Sequence, residues 1–377
     1  MKYIEKLLNG AEVKWMPLGE VAEIGTGSSN RQDEVENGEF PFYVRSKNIL
    51  RSATYQFDET AIVIPGEGGI GDIYHFVKGK YALHQRAYRV HLHNNKLLDK
   101  YVFHYMGACF KEYIISKSVG ATATSIRKPM LEKFLIPIPP LAVQEEIVRI
   151  LDKFTTLETE LETELDCRKR QYEYYRDELL SKVGFERVTL RNVLRPTQNI
   201  KWKDNKRVYR YIDLTSVCRE TNNILQTIEI TASNAPSRAQ KIVYTDDVIF
   251  ATTRPTQMRI AIVPEIFNEQ VASTGYCVLR ADRELVLPKW LYYNLSTTRF
   301  KGFLEEKQSG SAYPAISDNE LKGYQIPVPH LEEQARIIAV LDKFETLTHS
   351  ISEGLPKEIA LRRKQYEYYR NQLLSFA

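Results

Sequence analysis

The chain has 377 residues, of which 43% are hydrophobic and 27% charged, and a formal net charge of +4. That length exceeds one ordinary core and calls for two or three domains, and the composition excludes a disordered chain. No uncharged apolar run approaches the roughly 20 residues of a membrane helix, and MKYIEKLLNGAEVKW, charged at Lys2, Glu5 and Lys6, lacks a signal-peptide core, so a cytoplasmic protein is expected.

After a short segment at 1–12, residues 13–140 read as a mixed block. Glu59 to Pro65 and Arg86 to Leu92 are short runs rich in β-branched and aromatic residues, bounded by turn formers, and are expected as strands. Asp99 to Ser116 has helical spacing. The glycines of IPGEGGIGD (Ile64 to Asp72) do not match a nucleotide-binding spacing and predict a turn between strands. His91 and His93 would share a strand face with no further ligand nearby in sequence, so solvated histidines are expected rather than a metal site.

Pro137, Pro139 and Pro140 forbid a helix before Leu141. From there Ile147, Leu151, Phe154, Leu161, Leu165, Tyr172, Tyr175 and Leu179 follow steps of three and four, interrupted on the same seam by Glu158 and Arg168. One helix of about 40 residues, roughly 60 Å long, is predicted over 141–184, and its apolar stripe requires a partner helix.

Residues 185–330 form a second mixed block. Strands are expected at Asp246 to Thr253, Arg259 to Pro264 and Tyr276 to Arg280, and one helix over Pro288 to Glu306. Residues 331–377 supply the second long helix, with Gly354 and Pro356 interrupting it. Its packing positions are Ile337, Leu341, Phe344, Tyr366, Tyr369 and Leu373.

The two helices are copies. Ile136 to Leu157 returns as Ile326 to Leu347 with 12 of 22 positions identical, and Arg168 to Ser181 returns as Arg362 to Ser375 with 10 of 14. A period near 190 residues means duplication of a whole domain with its connector, not a solenoid. The distal copy has four extra residues between its LDKF and QYEYYR phrases. Charge follows the same division. Residues 13–135 hold 16 basic against 13 acidic side chains, 185–325 hold 20 against 15, and 141–181 hold 6 against 11. The mixed blocks therefore favour a polyanion, and the connector has another task.

Two divergent blocks, each followed by IPxP, a glutamine (Gln144, Gln334), LDKF (Leu151 to Phe154, Leu341 to Phe344) and QYEYYR, resemble the specificity subunit of Type I restriction-modification systems. The resemblance implies an α+β fold: two globular mixed α/β target-recognition domains separated by long conserved helices forming an antiparallel coiled coil, with internal pseudo-two-fold duplication. It implies that residues 1–12 pack near the C-terminal helix. It also implies partners: double-stranded DNA read as a split site, two methyltransferase subunits and two restriction/translocase subunits, with no membrane. S-adenosylmethionine, ATP and Mg would belong to those subunits and no cofactor to this chain.

There is no NPPY or DPPY to accompany the EIGTG at Glu23 to Gly27, and no phosphate-binding GKT or GKS. The four scattered cysteines form no CxxC pair and are expected to be reduced and structural. A non-catalytic chain is expected; the alternative is a structural or decoy scaffold that binds methyltransferase subunits without supporting modification.

Base readout needs donors and acceptors in polar loops at strand ends. In the first block the candidates are Asn30, Arg31, Arg45, Lys47, Gln85, Arg86, Thr124, Ser125 and Arg127. In the second they are Gln198, Lys201, Arg254, Thr256, Gln257, Arg259, Ser273, Thr274, Ser311 and Tyr313, of which the RPTQMR group is the sharpest because no acid interrupts it. The tyrosines of QYEYYR could stack on single-stranded bases, but helical spacing assigns Tyr172 and Tyr175 to packing.

Overall fold

The computed structural model describes residues 3–69, 71–117, 125–182, 184–219, 221–350 and 353–376. Two compact units result, Met1–Glu160 with Leu361–Ala377, and Leu161–Ala360. The sequence reading puts boundaries at the helix ends, whereas the contacts divide the helices themselves. The cause is packing: the first core takes in Val143, Ile147 and Leu151 together with Leu373 and Leu374, and the second takes in Tyr172 and Leu180 together with Ile337 and Leu341.

The first unit runs α1 (Tyr3–Leu8), β1 (Lys14–Pro17), α2 (Leu18–Val21), β2 (Ala22–Thr26), β3 (Phe40–Tyr43), β4 (Leu50–Ser52), β5 (Phe57–Pro65), β6 (His75–Leu83), β7 (Ala87–Leu92), α3 (Asp99–Lys117), α4 (Lys128–Glu132) and β8 (Leu135–Ile138). One six-stranded sheet has the order β2-β7-β5-β6-β3-β4, and β1 pairs with β8. The last five residues of β5, AIVIP, are all buried, as expected of a strand covered on both faces. Ile4 of α1 is buried in the same core as Leu373.

The helix α5 (Leu141–Leu180) follows, 40 residues without a break. The second unit continues with β9 (Arg187–Thr189), β10 (Leu194–Arg195), β11 (Tyr209–Ile212), β12 (Ile228–Ile230), β13 (Ala239–Val243), β14 (Val248–Ala251), β15 (Ile260–Ile262), β16 (Gln270–Ser273), β17 (Tyr276–Ala281), α6 (Pro288–Asn294), α7 (Thr298–Lys307), α8 (Asp318–Leu321), β18 (Gln325–Pro327), α9 (Leu331–His349) and α10 (Gly354–Leu374). Its sheets are β10-β17-β14-β15 and β12-β11-β16-β13, with β18 paired to β9. The plan matches the first unit. There β5 and β6 are long enough to serve both halves of one sheet, whereas here each is divided, into β13 with β14 and β15 with β16. The parallel pairing of β3 with β6 returns as that of β11 with β16.

The single helix expected over Pro288 to Glu306 is two helices. Thr297 restarts the chain by accepting a hydrogen bond from the Phe300 amide at 3.2 Å, an N-cap that ends one helix and opens the next. The distal helical segment is also in two parts, α9 and α10. Gly354 holds φ at +73°, and a Cβ there would lie 2.5 Å from the Thr346 carbonyl oxygen, so only glycine fits. Pro356 follows in the first turn of α10, where a missing N–H costs nothing.

Within each unit the helical segments run antiparallel. In the first, Phe154 stacks on Tyr369 and Glu158 pairs with Arg363 at 2.5 Å, which explains a charge on the seam. In the second, Tyr175 stacks on Phe344 and Tyr172 meets His349 edge-on. Ile147, Leu151, Ile337, Leu341, Leu373 and Tyr172 are buried; Phe154, Leu161, Leu165, Leu179, Phe344 and Tyr366 are half-buried. Tyr175 and Tyr369 remain exposed despite their Phe partners, so the QYEYYR stripe is only partly a core stripe.

Candidate nucleic-acid interface

The repeated markers turn out to be the fastenings of each sheet domain to its helix. Gln144 is fully buried at the start of α5; its Nε2 donates to the carbonyls of Pro139 and Lys96, both at 2.8 Å, and its Oε1 accepts the Leu98 amide at 2.9 Å. Gln334 repeats this on α9 with Pro329, Leu285 and the Leu287 amide. Three bonds on one buried amide fix the IPxP turn against the loop before the late helix.

About two turns further on, the aspartate of LDKF receives that late helix. Asp152 accepts from His104 at 2.8 Å and from Lys100 at 3.0 Å. Asp342 accepts from Tyr293 at 2.5 Å and from Lys289 at 2.6 Å. Burial pushes the Asp152 carboxyl up, but the His104 and Lys100 hydrogen bonds outweigh it and hold the group below its usual range. Burial keeps His104 below the ordinary imidazole value despite Asp152. Burial, reinforced by Glu345 and Asp342, pushes the Tyr293 hydroxyl far up, so it remains a donor.

Held on these fastenings, the candidate loops of the first unit converge. Gln85 donates to Asn30 at 2.5 Å, the Ser28 amide donates to Gln56, and Glu67 accepts from Arg45 at 3.1 Å and from Arg86 at 3.3 Å. The Gly66 amide donates to the Arg86 carbonyl and the Ile126 amide to the Gly66 carbonyl, each at 2.9 Å, and Glu67 bridges to Ser125. The loops around 28–31, 45, 66–67, 84–86 and 125–127 are thus stitched into one polar surface, with Arg31, Lys47 and Arg127 exposed at it. Thr124 lies outside the described residues.

The second unit repeats the stitch. The Thr252 amide donates to the Gly275 carbonyl, the Ile316 amide to the Thr252 carbonyl, and Thr253 bridges to Ala315. Arg254 then stands exposed over the ring of Tyr313, 5.2 Å from its centroid, with Ser311 beside it on the same loop. Arg254 and Met258 both adopt positive φ, at 50° and 53°, around the turn Pro255–Gln257. Two such non-glycine residues on either side of one turn hold strain of the kind found at binding sites.

Not every candidate joins this surface. Arg259 donates to the carbonyls of Leu214, at 2.5 Å, and Val217, at 3.3 Å; its role is to hold a turn. Ser273 is fully buried and its hydroxyl accepts the Gly275 amide, so it cannot reach a base. Thr256 and Thr274 are half-buried. Gln257 faces a separate cleft of about 400 Å³ lined also by Arg219, Lys301 and Glu345. Gln198 and Lys201 are exposed on the segment alongside β13.

A family model described as the Type I restriction modification DNA specificity domain matches this chain twice, over residues 11–166 and 183–361. The chain belongs to that family. It is 31% identical over its whole length to the EcoR124I/EcoR124II type I restriction enzyme specificity subunit of Escherichia coli, covering 97% of that protein. It is 30% identical, again over its whole length, to a putative type I restriction enzyme specificity subunit of Haemophilus influenzae, covering 98% of it. The crystal structure of the S subunit of a type I restriction-modification system from M. genitalium shares the fold, with a TM-score of 0.59, 98% of each chain covered and 14% identity. Family membership explains why both matches extend into the helices: the fastenings at Gln144 and Asp152, and at Gln334 and Asp342, are part of each repeated unit.

Among the described residues no helix is long and apolar enough to cross a membrane. Glu67 and the buried sockets of the two aspartates are the parts that the sequence marks least. Glu67 sits in a turn whose glycines dominate the reading, and the sockets for Asp152 and Asp342 differ in residue type, His104 in one and Tyr293 in the other. Only the repeated aspartate pointed to them.

Proposed function

We propose that this chain is the non-catalytic DNA-recognition subunit of a Type I restriction-modification complex, each stitched loop surface reading one half of a bipartite site. The observation that carries the reading is the pair of matching polar loop surfaces, Arg45–Glu67–Arg86 with Asn30 and Gln85 in one unit and Arg254–Tyr313 in the other, each on the same fastenings of a buried Gln and a half-buried Asp. Such loops offer directional donors and acceptors for base edges. Exposed Arg31, Lys47, Arg127 and Lys201 suit phosphates, which position a protein without specifying sequence.

On this reading two methyltransferase subunits dock on the helical segments, bring S-adenosylmethionine, and methylate adenine. Two restriction/translocase subunits bring ATP and Mg-dependent chemistry. Exchanging residues 185–325 for the equivalent block of another family member tests the division of labour. The expected result is a complex whose methylated sequence changes in one half only. A change in both halves, or in neither, would refute it.

A further inference from the structure

Glu67 is the carboxylate on which two arginines of the loop surface converge; the exposed acids Asp33 and Glu34 lie on the neighbouring loop beside Asn30 and Arg31. The Glu67 carboxylate repels phosphate, yet it is built in firmly. Its side chain is about half exposed and receives Arg45 and Arg86. Its backbone bridges to Ser125, and the preceding Gly66 is held by hydrogen bonds to the Arg86 carbonyl and from the Ile126 amide. A Cβ on Gly66 would lie 2.9 Å from the Arg86 oxygen, so the approach that sets the carboxylate between the two arginines depends on glycine.

The topologically equivalent position in the second unit is the neutral Thr253, and the charge that follows it has the opposite sign. Thr253 makes the matching bridge to Ala315, and Arg254, one residue on, projects over Tyr313. The same stitched loop pair therefore presents an acceptor in one unit and a donor in the other. A requirement for general DNA affinity would favour a cation in both. A difference in sign is what reading different base edges demands.

We infer that Glu67 is a specificity-determining residue of the first unit, accepting a hydrogen bond from the exocyclic amino group of a cytosine in the major groove while Arg45 or Arg86 donates to the O6 and N7 of the paired guanine. A carboxylate accepts from cytosine N4, and an arginine fork matches guanine. The two ion pairs hold the three side chains in a fixed fan before DNA arrives, so less side-chain freedom is lost on binding. The inference rests on the proposed recognition role and adds to it the base pair that one loop reads.

The test compares the wild-type chain with Glu67→Gln and Glu67→Asp, each assembled with its cognate methyltransferase subunit. The methylation motif is mapped, and binding is measured on duplexes carrying that motif and every single base-pair replacement of it. For Glu67→Gln, discrimination at one G·C pair of one half-site should fall on the order of 10-fold, with the other half-site unchanged; Glu67→Asp should keep the preference. An unchanged motif and unchanged discrimination would overturn the inference and leave the recognition role standing. A uniform loss of affinity on every duplex would make Glu67 a clamp for the arginines and overturn it also. A wild-type complex that yields no bipartite motif would remove the recognition role itself.

Discussion

Phe154 stacks on Tyr369 with ring centroids 5.2 Å apart and planes 26° from parallel. The repeat partners of these residues, Phe344 and Tyr175, stack in the other unit at 6.1 Å and 29°. In each unit the phenylalanine of one LDKF phrase meets the last tyrosine of the other helix's QYEYYR phrase, which ties the two most recognisable parts of the repeat into one interaction. Both tyrosines are partly exposed, so the pair is a latch and not a core. A double-mutant cycle with Phe154→Ala and Tyr369→Ala should show a coupling of about 1 kcal/mol in chemical denaturation of the complete chain. Additive effects would remove the latch.

Gln144 and Gln334 should matter more. Gln144→Leu keeps the volume but leaves the Leu98 amide and the carbonyls of Lys96 and Pro139 without their partner. Urea denaturation should show a loss of at least about 2 kcal/mol, and Gln334→Leu a similar one. A loss below about 0.5 kcal/mol would mean that water replaces the amide without cost.

His104 makes the first fastening sensitive to pH where the second, built on Tyr293, is not. Burial lowers the His104 pKa in the folded chain, so below about pH 6.5 the unfolded state takes up a proton that the folded state resists. Stability from this group is fully present above that pH and declines as pH falls through the folded value. Hydrogen exchange, corrected for intrinsic rates, should show α3 losing protection relative to α6 between pH 7.5 and pH 5.5, settings chosen on either side of roughly pH 6.5. Equal changes in the two helices would contradict this.

The joint between α9 and α10 depends on Gly354. Gly354→Ala introduces a Cβ 2.5 Å from the Thr346 carbonyl at a positive φ, and should cost more than about 1 kcal/mol, read as a lower melting temperature of the complete chain. An unchanged melting temperature would show that the joint relaxes freely.

The helices and the duplication were legible in the sequence because proline, spacing and repetition each mark a local rule. Pro139 and Pro140 start α5, and its stripe predicts its length. The break at Thr297 was not legible, since the short polar stretch Ser296 to Arg299 that holds the N-cap leaves the helical period of the apolar residues on either side almost intact. Candidate loops around Asn30, Arg45, Gln85 and Arg86 were found because polar residues at strand ends are local, whereas their convergence depends on distant pairings, such as Gln85 with Asn30, 55 residues apart. Ser273 and Arg259 were both candidates in sequence, Arg259 within the sharper RPTQMR group. Only tertiary packing shows one buried and the other occupied by carbonyls.

Arg254 and Lys47 should separate specificity from affinity. On assembled complexes, Arg254→Ala should relax discrimination at one base pair of the half-site read by the second unit by about 1–3 kcal/mol. Lys47→Ala should weaken binding to all sequences alike and lower the salt slope by about 1. The reverse pattern would reassign the two residues.

The central claim is that two recognition surfaces read two separated half-sites. It is tested most directly by expressing the chain with its cognate methyltransferase subunit and mapping N6-methyladenine across the host genome. The expected map shows one motif made of two short specific halves divided by a stretch of unspecified bases. A single uninterrupted motif, or no methylation dependent on this chain, would contradict the account.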